Sequence, residues 1–195
     1  MIAIVDYDAG NIRSVANALA RLGAEYELTA NPARLVGADR VILPGVGNAA
    51  EAMASLWDKG LDGIIRNLRR PVLGICVGMQ IMCRYSEEGD VFGMGIFDTE
   101  VRKFKPSPEA KVPHMGWNTT SNMEGKLFIG VEKRSSFYYV HSFYPQLCPD
   151  TIATCRHGEA FFSAALRYEN FYGTQFHPEK SGPVGEAVLR NFLAL

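Results

Sequence analysis

Short runs of apolar residues alternate with amphipathic stretches through the first half of the chain. Residues 2–5 form a continuous apolar run, and residues 12–22 carry apolar side chains at helical spacing until Gly23 ends the pattern. The first run predicts a buried strand and the second predicts a helix. Further apolar runs that predict strands occupy residues 25–29, 41–43 and 72–75.

Helical signals separate these predicted strands. Asn48 can cap a helix that continues to about residue 57, and Glu51 stands where an acidic side chain can reach back to the cap. Helical spacing returns over residues 61–68 and 77–85. Because strands alternate with helices, this half of the chain favours a parallel sheet with helices on both faces.

The second half of the chain is richer in strands. Its strand-like runs, several joined by Gly or Pro turns, occupy residues 95–105, 117–120, 137–144, 151–156, 161–167 and 171–176. Residues 183–195 predict a closing amphipathic helix. The sequence therefore predicts a single α/β domain over residues 1–195. Its central sheet is mostly parallel and flanked by helices, with an additional antiparallel strand region in the second half.

Composition removes several classes of function. A hydrophobic content of 47% excludes intrinsic disorder, and a net charge of −1 disfavours a nucleic-acid partner because such proteins carry a basic excess. No apolar run is long enough to cross a membrane, and the N-terminus lacks the features of a signal peptide. We therefore expect a cytoplasmic protein without a membrane partner. The cysteines form no CxxC pair, so we expect no metal site.

One cysteine lies where a nucleophile is expected. Cys76 stands between a predicted buried strand and a helix, flanked by Gly74 and Gly78 in the pattern of a nucleophile elbow. A sharp strand-to-helix turn leaves no room for side chains at the two glycine positions. The helix N-terminus favours the thiolate, and the N–H of Val77 can face a developing oxyanion. Taken alone, the motif fits a small buried side chain equally well.

A thiolate nucleophile needs a nearby base, and His177 fits that role best. It ends an apolar strand and begins the run His-Pro-Glu, in which extended geometry before proline lets His177 and Glu179 face one site. Histidine oriented by a carboxylate completes the logic of a Cys-His-acid triad. His157 lies in a predicted hairpin turn, and His114 and His141 lie in strand-like runs where core or interface roles are common.

A glycine-rich loop supplies the third element. Residues 44–47, Pro-Gly-Val-Gly, follow the predicted strand 41–43 and should lie at the same carboxyl edge of the sheet as Cys76. Two glycines let a peptide N–H turn towards a ligand. In isolation, the loop is an ordinary strand-to-helix connection.

These three motifs, in this order, resemble those of the triad-type (class I) glutamine amidotransferases. The resemblance implies that the chain hydrolyses glutamine to glutamate and ammonia through a thioester, with Cys76 as nucleophile, His177 as acid and base, and Glu179 as the orienting carboxylate. It implies no cofactor. By the same resemblance, the oxyanion is stabilised by Val77 and by the loop residues Gly45, Val46 and Gly47. The amino-acid end of glutamine is held by Gln80 and by the backbone of Ser142 and Phe143.

Additional motifs resemble the branch of this family that serves imidazole glycerol phosphate synthases. They are the runs at residues 5–11, 113–118 (Pro-His-Met-Gly-Trp-Asn) and 139–143. The resemblance implies a heterodimer with a (β/α)8-barrel cyclase subunit, which uses the ammonia to make imidazole glycerol phosphate in histidine biosynthesis. The implied interface residues are Asn11, Trp117, Tyr138 and Lys180. The sequence has no P-loop and no GxGxxG, which agrees with synthase chemistry on the other subunit.

Three alternatives compete with this interpretation. A glutaminase subunit of another synthase, such as the pyridoxal phosphate one, would share the triad but should lack the 113–118 motif. A stand-alone cysteine hydrolase of γ-glutamyl peptides would need a wider cleft and no partner. A non-enzymatic regulatory relative would be expected to lose part of the triad, which is intact here.

Overall fold

The computed structural model describes residues 1–8, 12–108 and 110–195. The strands are β1 (Ile2–Val5), β2 (Tyr26–Thr29), β3 (Arg40–Leu43), β4 (Val72–Ile75), β5 (Cys83–Ser86), β6 (Val91–Phe92), β7 (Phe97–Lys103), β8 (His114–Ser121), β9 (Ser135–His141), β10 (Phe143–Pro145), β11 (Thr151–His157), β12 (Ala160–Tyr168) and β13 (Phe171–Thr174). The helices are α1 (Ile12–Arg21), α2 (Pro32–Gly37), α3 (Ala49–Asp58), α4 (Asp62–Arg66), α5 (Val77–Gln80) and α6 (Gly182–Leu193), with short 3-10 helices at Lys126–Phe128 and Pro178–Lys180.

A mixed sheet forms the centre of the molecule. Within the described residues it has nine strands in the order β2-β1-β3-β4-β13-β12-β11-β8-β9. Neighbours from β2 to β13 pair in parallel, and those from β13 to β9 pair antiparallel. β1, β4 and β13 are buried along their whole length, as expected for strands covered on both faces. The predicted α/β class, with a parallel half and an antiparallel region, is confirmed.

Strand β13 joins the two halves of the sheet. It is the last strand in the chain, yet it lies between parallel β4 and antiparallel β12. Its register pairs Thr174 with Ile75, so β4 and β13 end side by side. Because Cys76 follows one strand and His177 soon follows the other, this register brings the two residues to one edge of the sheet.

A second, smaller sheet was not predicted. Its described strands run in the order β10-β7-β5-β6. The prediction of a helix over residues 77–85 is wrong beyond Gln80, since β5 begins at Cys83. The backbone carbonyls of Ile81 and Met82 accept N–H groups from residues 94, 96 and 97 at 2.8–3.0 Å, so these tertiary bonds replace further helical turns.

Two other local predictions need correction. The predicted strand 137–144 is divided at Ser142, where the chain leaves the large sheet at β9 and enters the small one at β10; the Ser142 carbonyl accepts the N–H of Phe104 at 3.0 Å. Helix α2 was not predicted, although Asn31 caps it by accepting the N–H of Ala33 and proline follows at the first helical position. Asn48 caps α3 as predicted.

Aromatic side chains fill the core beneath the antiparallel half of the sheet. Phe137 and Phe176 stack with ring centroids 4.1 Å apart, and Tyr139 and Phe162 pack beside them, all fully buried. Phe176 immediately precedes His177, so this cluster anchors the strand end that carries the histidine. In the described part of the chain, no helix is both long and apolar enough to cross a membrane.

Candidate active site

Cys76 lies on a strained turn between β4 and α5. Its backbone has φ 54° and ψ −111°, a conformation that side-chain-bearing residues rarely adopt. A Cβ at Gly74 would lie 2.7 Å from the Gly78 carbonyl oxygen, and one at Gly78 would lie 2.0 Å from the Leu43 carbonyl oxygen. A side chain at either position would collide with the backbone, so both residues must be glycine. This is the steric reason for the glycines that the sequence analysis gave. The N–H of Cys76 is held by the Thr174 carbonyl at 2.8 Å.

His177 and Glu179 form a buried pair at the neighbouring strand end. His177 Nδ1 lies 2.7 Å from Glu179 Oε1, and both side chains are 1% exposed. His177 is extended as predicted, but Pro178–Lys180 forms a 3-10 turn rather than continuing as extended chain. The turn still directs the carboxylate to the imidazole, because the hydroxyl of Ser181 bonds back to the His177 carbonyl at 2.6 Å and closes it.

The neighbours of His177 favour its charged form. Burial opposes a charged imidazolium, but the Cys76 thiolate and the hydrogen bond and charge of Glu179 outweigh burial and raise the pKa of His177 to about 10. Glu179 is hydrogen-bonded to Nδ1 of His177, and within the described residues no atom forms a hydrogen bond with Nε2. The imidazolium is therefore held at Nδ1 by Glu179, and in this part of the chain its Nε2 side is turned to no other bonded partner and is available to a reacting group.

A cavity of about 170 Å³ opens over the cysteine. Its walls include these residues that the sequence singled out: Val46, Gly47, Cys76, Val77, Gln80, Ser142, Phe143 and His177. Glu88, Val140 and His141 complete the lining. The volume lies below the roughly 300–1,000 Å³ of drug-sized pockets and suits a single small amino acid. None of the described residues form a His, Cys, Asp or Glu cluster that could hold a metal ion.

The glycine-rich loop contacts the elbow directly. A Cβ at Gly45 would lie 2.2 Å from the N atom of Gly78, so Gly45 packs behind the cavity rather than lining it. Val46 and Gly47 reach the cavity, and Gly47 adopts φ 94° with open space around it. Val77 begins α5, and the first N–H groups of a helix have no partner within the helix. Val77 and residues 46–47 are thus the two backbone segments that border the space above Cys76.

Gln80 and Glu88 provide polar groups in the lining of the cavity. Gln80 is 2% exposed, so it is not a solvated helix residue, and its Nε2 donates to the Phe143 carbonyl at 2.9 Å. Glu88 was not predicted from the sequence. Burial raises the pKa of its carboxyl group, although the carboxylate accepts the N–H of Ala49 at 3.0 Å. Glu88 follows β5 in a turn, and only the contact between that turn and α3 brings it to the cavity.

Comparison with known proteins establishes the family. The model of the glutamine amidotransferase class-I family matches residues 3–195. The chain belongs to this family. A Bacteroides thetaiotaomicron protein named imidazole glycerol phosphate synthase subunit HisH is 55% identical over 195 residues, which cover 100% of this chain and 99% of that protein. A protein of the same name from Xanthomonas axonopodis pv. citri is 43% identical, with 100% and 97% covered.

Solved structures agree on the fold of this amidotransferase. A crystal structure described as a glutamine amidotransferase superposes with a TM-score of 0.72 at 21% identity, covering 100% of this chain and 98% of the other. The structure of PurLQS from Thermotoga maritima gives a TM-score of 0.71 at 19% identity, with 99% and 97% covered. At this identity the likeness concerns the fold alone.

The predicted interface residues of the amidotransferase lie beside the triad. Trp117 is 59% exposed on β8 and pairs with Tyr138 on β9, with ring centroids 6.2 Å apart in an edge-to-face arrangement. Tyr138 accepts the N–H of His177 at 2.9 Å through its carbonyl. Lys180 is exposed next to Glu179. Trp117 and Tyr138 are therefore neighbours, Lys180 lies on the turn that follows His177, and Asn11 lies outside the described residues.

The protonation of His177 should depend on the Cys76 sulfur. We expect the His177 ring of the wild-type chain to remain protonated beyond pH 8. Cys76→Ala should lower the pKa of His177 by more than about one unit, because burial lowers this pKa and the sulfur that raises it is then absent. Since the folded-state pKa exceeds the roughly 6.5 of an unfolded chain, this proton stabilises the fold below pH ~6.5, and the stabilisation is lost as pH rises towards 10.

Nitrogen chemical shifts of labelled histidine rings would measure the titration. His114 is the internal control, because burial and the nearby His157 charge lower its pKa to about 4, and Cys76 is not among the causes. A His177 ring that titrates near pH 6.5 in both proteins would contradict the thiolate–imidazolium pair.

Proposed function

We propose that the chain hydrolyses glutamine as the glutaminase subunit of an imidazole glycerol phosphate synthase. The observation that carries the proposal is the meeting of Cys76, His177 and Glu179 at the ends of β4 and β13, over a cavity of amino-acid size. Membership of the glutamine amidotransferase family and the names of the full-length relatives support it. We further propose that residues 1–195 act as one amidotransferase domain.

Covalent chemistry would proceed at the side-chain amide of glutamine. The Cys76 thiolate attacks the carboxamide carbon, the carbon–nitrogen bond breaks, and His177 delivers its Nε2 proton to the departing ammonia. Glu179 holds the ring in place. Water, deprotonated by His177, then cleaves the thioester and releases glutamate. The oxyanion would be met by the N–H of Val77 and by a peptide N–H of the loop 45–47, with the packing of Gly45 fixing the position of that loop.

The amino-acid end of glutamine would lie against Gln80 and Glu88 in the cavity lining. Gln80 commits its Nε2 to protein partners, which leaves its Oε1 for the substrate ammonium group. The Glu88 carboxylate lines the same cavity and supplies the matching negative charge. Ser142 and Phe143, at the junction between β9 and β10, would present backbone groups to the carboxylate. A cavity of this size favours free glutamine over the γ-glutamyl peptides of a stand-alone hydrolase.

Ammonia would pass to a separate (β/α)8-barrel cyclase subunit in a cytoplasmic heterodimer. The exposed face with Trp117, Tyr138 and Lys180, together with Asn11 from the sequence, is the proposed contact surface. Large aromatic side chains are typical anchors of protein interfaces. The Tyr138 carbonyl also accepts the N–H of His177, so a partner on this face would contact β9, the strand whose backbone is bonded to the histidine.

Coupling to the partner would act on the oxyanion loop. If its peptide N–H faces away at rest, the isolated chain is nearly inactive despite an assembled triad. Gly45 is fixed by its contact with Gly78, so rotation would be confined to the Val46–Gly47 peptide, where Gly47 adopts a positive φ.

Glutamine hydrolysis with and without the partner tests the proposal. We expect weak activity in the chain alone and stimulation of at least ~10²-fold with a cyclase subunit and its ribonucleotide, on the scale of one oxyanion donor. Cys76→Ala should reduce hydrolysis by several orders of magnitude, whereas ammonium salts at high pH should still support the synthase reaction of the complex. Full activity of the chain alone, or near-normal turnover by the alanine variant, would refute this function.

Glu88→Gln should weaken glutamine binding more than the chemical step. We expect KM to rise about 10-fold to 100-fold, the range for losing a hydrogen bond between charged groups, with little change in kcat. The new glutamine side chain at position 88 keeps an oxygen for the Ala49 N–H. Glu124→Gln, at an exposed position outside the cavity lining, is the matched control.

The pH dependence supplies a second measurement for Glu88. Burial raises the pKa of the Glu88 carboxyl group, so the wild-type chain should lose this negative charge, and its KM for glutamine should increase, as pH falls. Glu88→Gln has no charge to lose at this position, and its KM should not show this increase. Equal KM values for the Glu88→Gln, Glu124→Gln and wild-type chains would exclude Glu88 from the binding site.

A further inference from the structure

A buried glutamine next to the cysteine has no role in the chemistry described above. Gln175 follows β13 and is fully buried, two positions before His177. A buried amide is costly unless both its oxygen and its nitrogen find partners. Here both partners belong to the candidate active site: Gln175 Oε1 lies 2.9 Å from Gln80 Nε2, and Gln175 Nε2 lies 3.5 Å from Cys76 Sγ.

The orientation of the Gln175 amide follows from a backbone carbonyl. The Phe143 carbonyl oxygen can only accept, so the group of Gln80 that faces it at 2.9 Å must be the NH2. The same NH2 makes the second bond to Gln175, whose facing atom must therefore be its oxygen. The Gln175 nitrogen is then left to face the sulfur. An N–H donor thus points at Cys76, and the amide cannot be reversed without losing the bond to Gln80.

A chain of hydrogen bonds fixes the Phe143 carbonyl from the other side. His141 Nδ1 lies 2.7 Å from that carbonyl oxygen, and His141 Nε2 lies 2.9 Å from His114 Nδ1. His114 Nε2 meets the Asn118 amide nitrogen at 3.0 Å, and the Thr119 N–H bonded to Asn118 Oδ1 at 2.8 Å orients that amide.

The direction of each bond in this chain is determined. Burial lowers the pKa of both histidines, to about 4 for His114, so each neutral ring carries one N–H. Donation therefore runs from Asn118 through His114 and His141 to the Phe143 carbonyl. The motif at residues 113–118 is thereby connected to the nucleophile through Gln80 and Gln175.

We propose that Gln175 is a further catalytic residue, whose Nε2–H donates to the Cys76 sulfur and favours the thiolate over the thiol. The proposal deepens the glutaminase function and rests on it for the role of the cysteine. A donor aimed at an ionised acceptor stabilises it more than it stabilises the neutral form. The thiol form can donate only weakly, to the Val140 carbonyl at 3.9 Å. Gln175 also ties the sulfur to Gln80, so that nucleophile and substrate-binding side chain keep a fixed relation.

Alkylation of Cys76 by iodoacetamide in the full chain tests this role. Gln175→Met keeps the side-chain length without the N–H donor. We expect its alkylation rate at pH 7 to fall about tenfold, and the pH of half-maximal rate to rise by about one unit. Gln146→Met, at an exposed glutamine outside the cavity, is the matched control and should react as the wild type does. Cys76→Ala gives the background from the other cysteines.

Two additional measurements keep the test decisive if the methionine variant is poorly folded. Gln175→Glu retains an oxygen for Gln80 but presents no donor to the sulfur, and should slow alkylation further. In labelled protein, the side-chain amide resonance of Gln175 should move in Cys76→Ala. A folded Gln175 variant with the wild-type rate and pH profile, or an unmoved resonance, would overturn the proposal. Because neither measurement uses glutamine or a partner, failure of the glutaminase function would be a separate result.

Discussion

The site depends on a contact between two turns at the carboxyl edge of the sheet. The turn after β3 and the elbow after β4 approach backbone to backbone, with no side chain between them at Gly45 or Gly78. That approach holds Cys76 at a positive φ, which costs on the order of 1–3 kcal/mol and persists only where the surrounding structure enforces it. The same contact sets the glycine-rich loop beside the sulfur. The turn that carries Cys76 and the glycine-rich loop are therefore one packed unit.

The rest of the proposed catalytic arrangement follows from the position of β13 in the sheet. As the last strand in the chain, it closes the gap between the parallel half and the antiparallel half, and its pairing with β4 places His177 opposite Cys76. A buried imidazole would ordinarily be neutral. Here the sulfur and Glu179 together outweigh burial, so the charged state of the histidine depends on its neighbours rather than on solvent.

Local sequence patterns predicted the parts of the molecule whose causes are local. The elbow glycines, the Asn48 cap and the buried strands each follow from sterics or hydrogen bonding within a few residues. The helix predicted over residues 77–85 ends at Gln80, because N–H groups from residues 94–97 donate to the carbonyls that would continue it.

The roles of Glu88 and Gln175 were not predicted, because they too depend on contacts between residues distant in the sequence. The packing of α3 brings Glu88 to the cavity, and a bond to Gln80 orients Gln175. In the sequence, neither residue differs from a surface acid or a polar residue at a strand end. Residues whose partners are distant in sequence become recognisable only when the fold is known.

Capture of the acyl-enzyme tests the central claim most directly. The complete enzyme, with its cyclase subunit and ribonucleotide, would be mixed with glutamine and quenched in acid within the first turnovers, and its peptides weighed. We predict a glutamyl thioester on the peptide that carries Cys76, and none on peptides that carry Cys83, Cys148 or Cys155. Steady hydrolysis without any adduct on Cys76, or an adduct on another cysteine, would contradict the account.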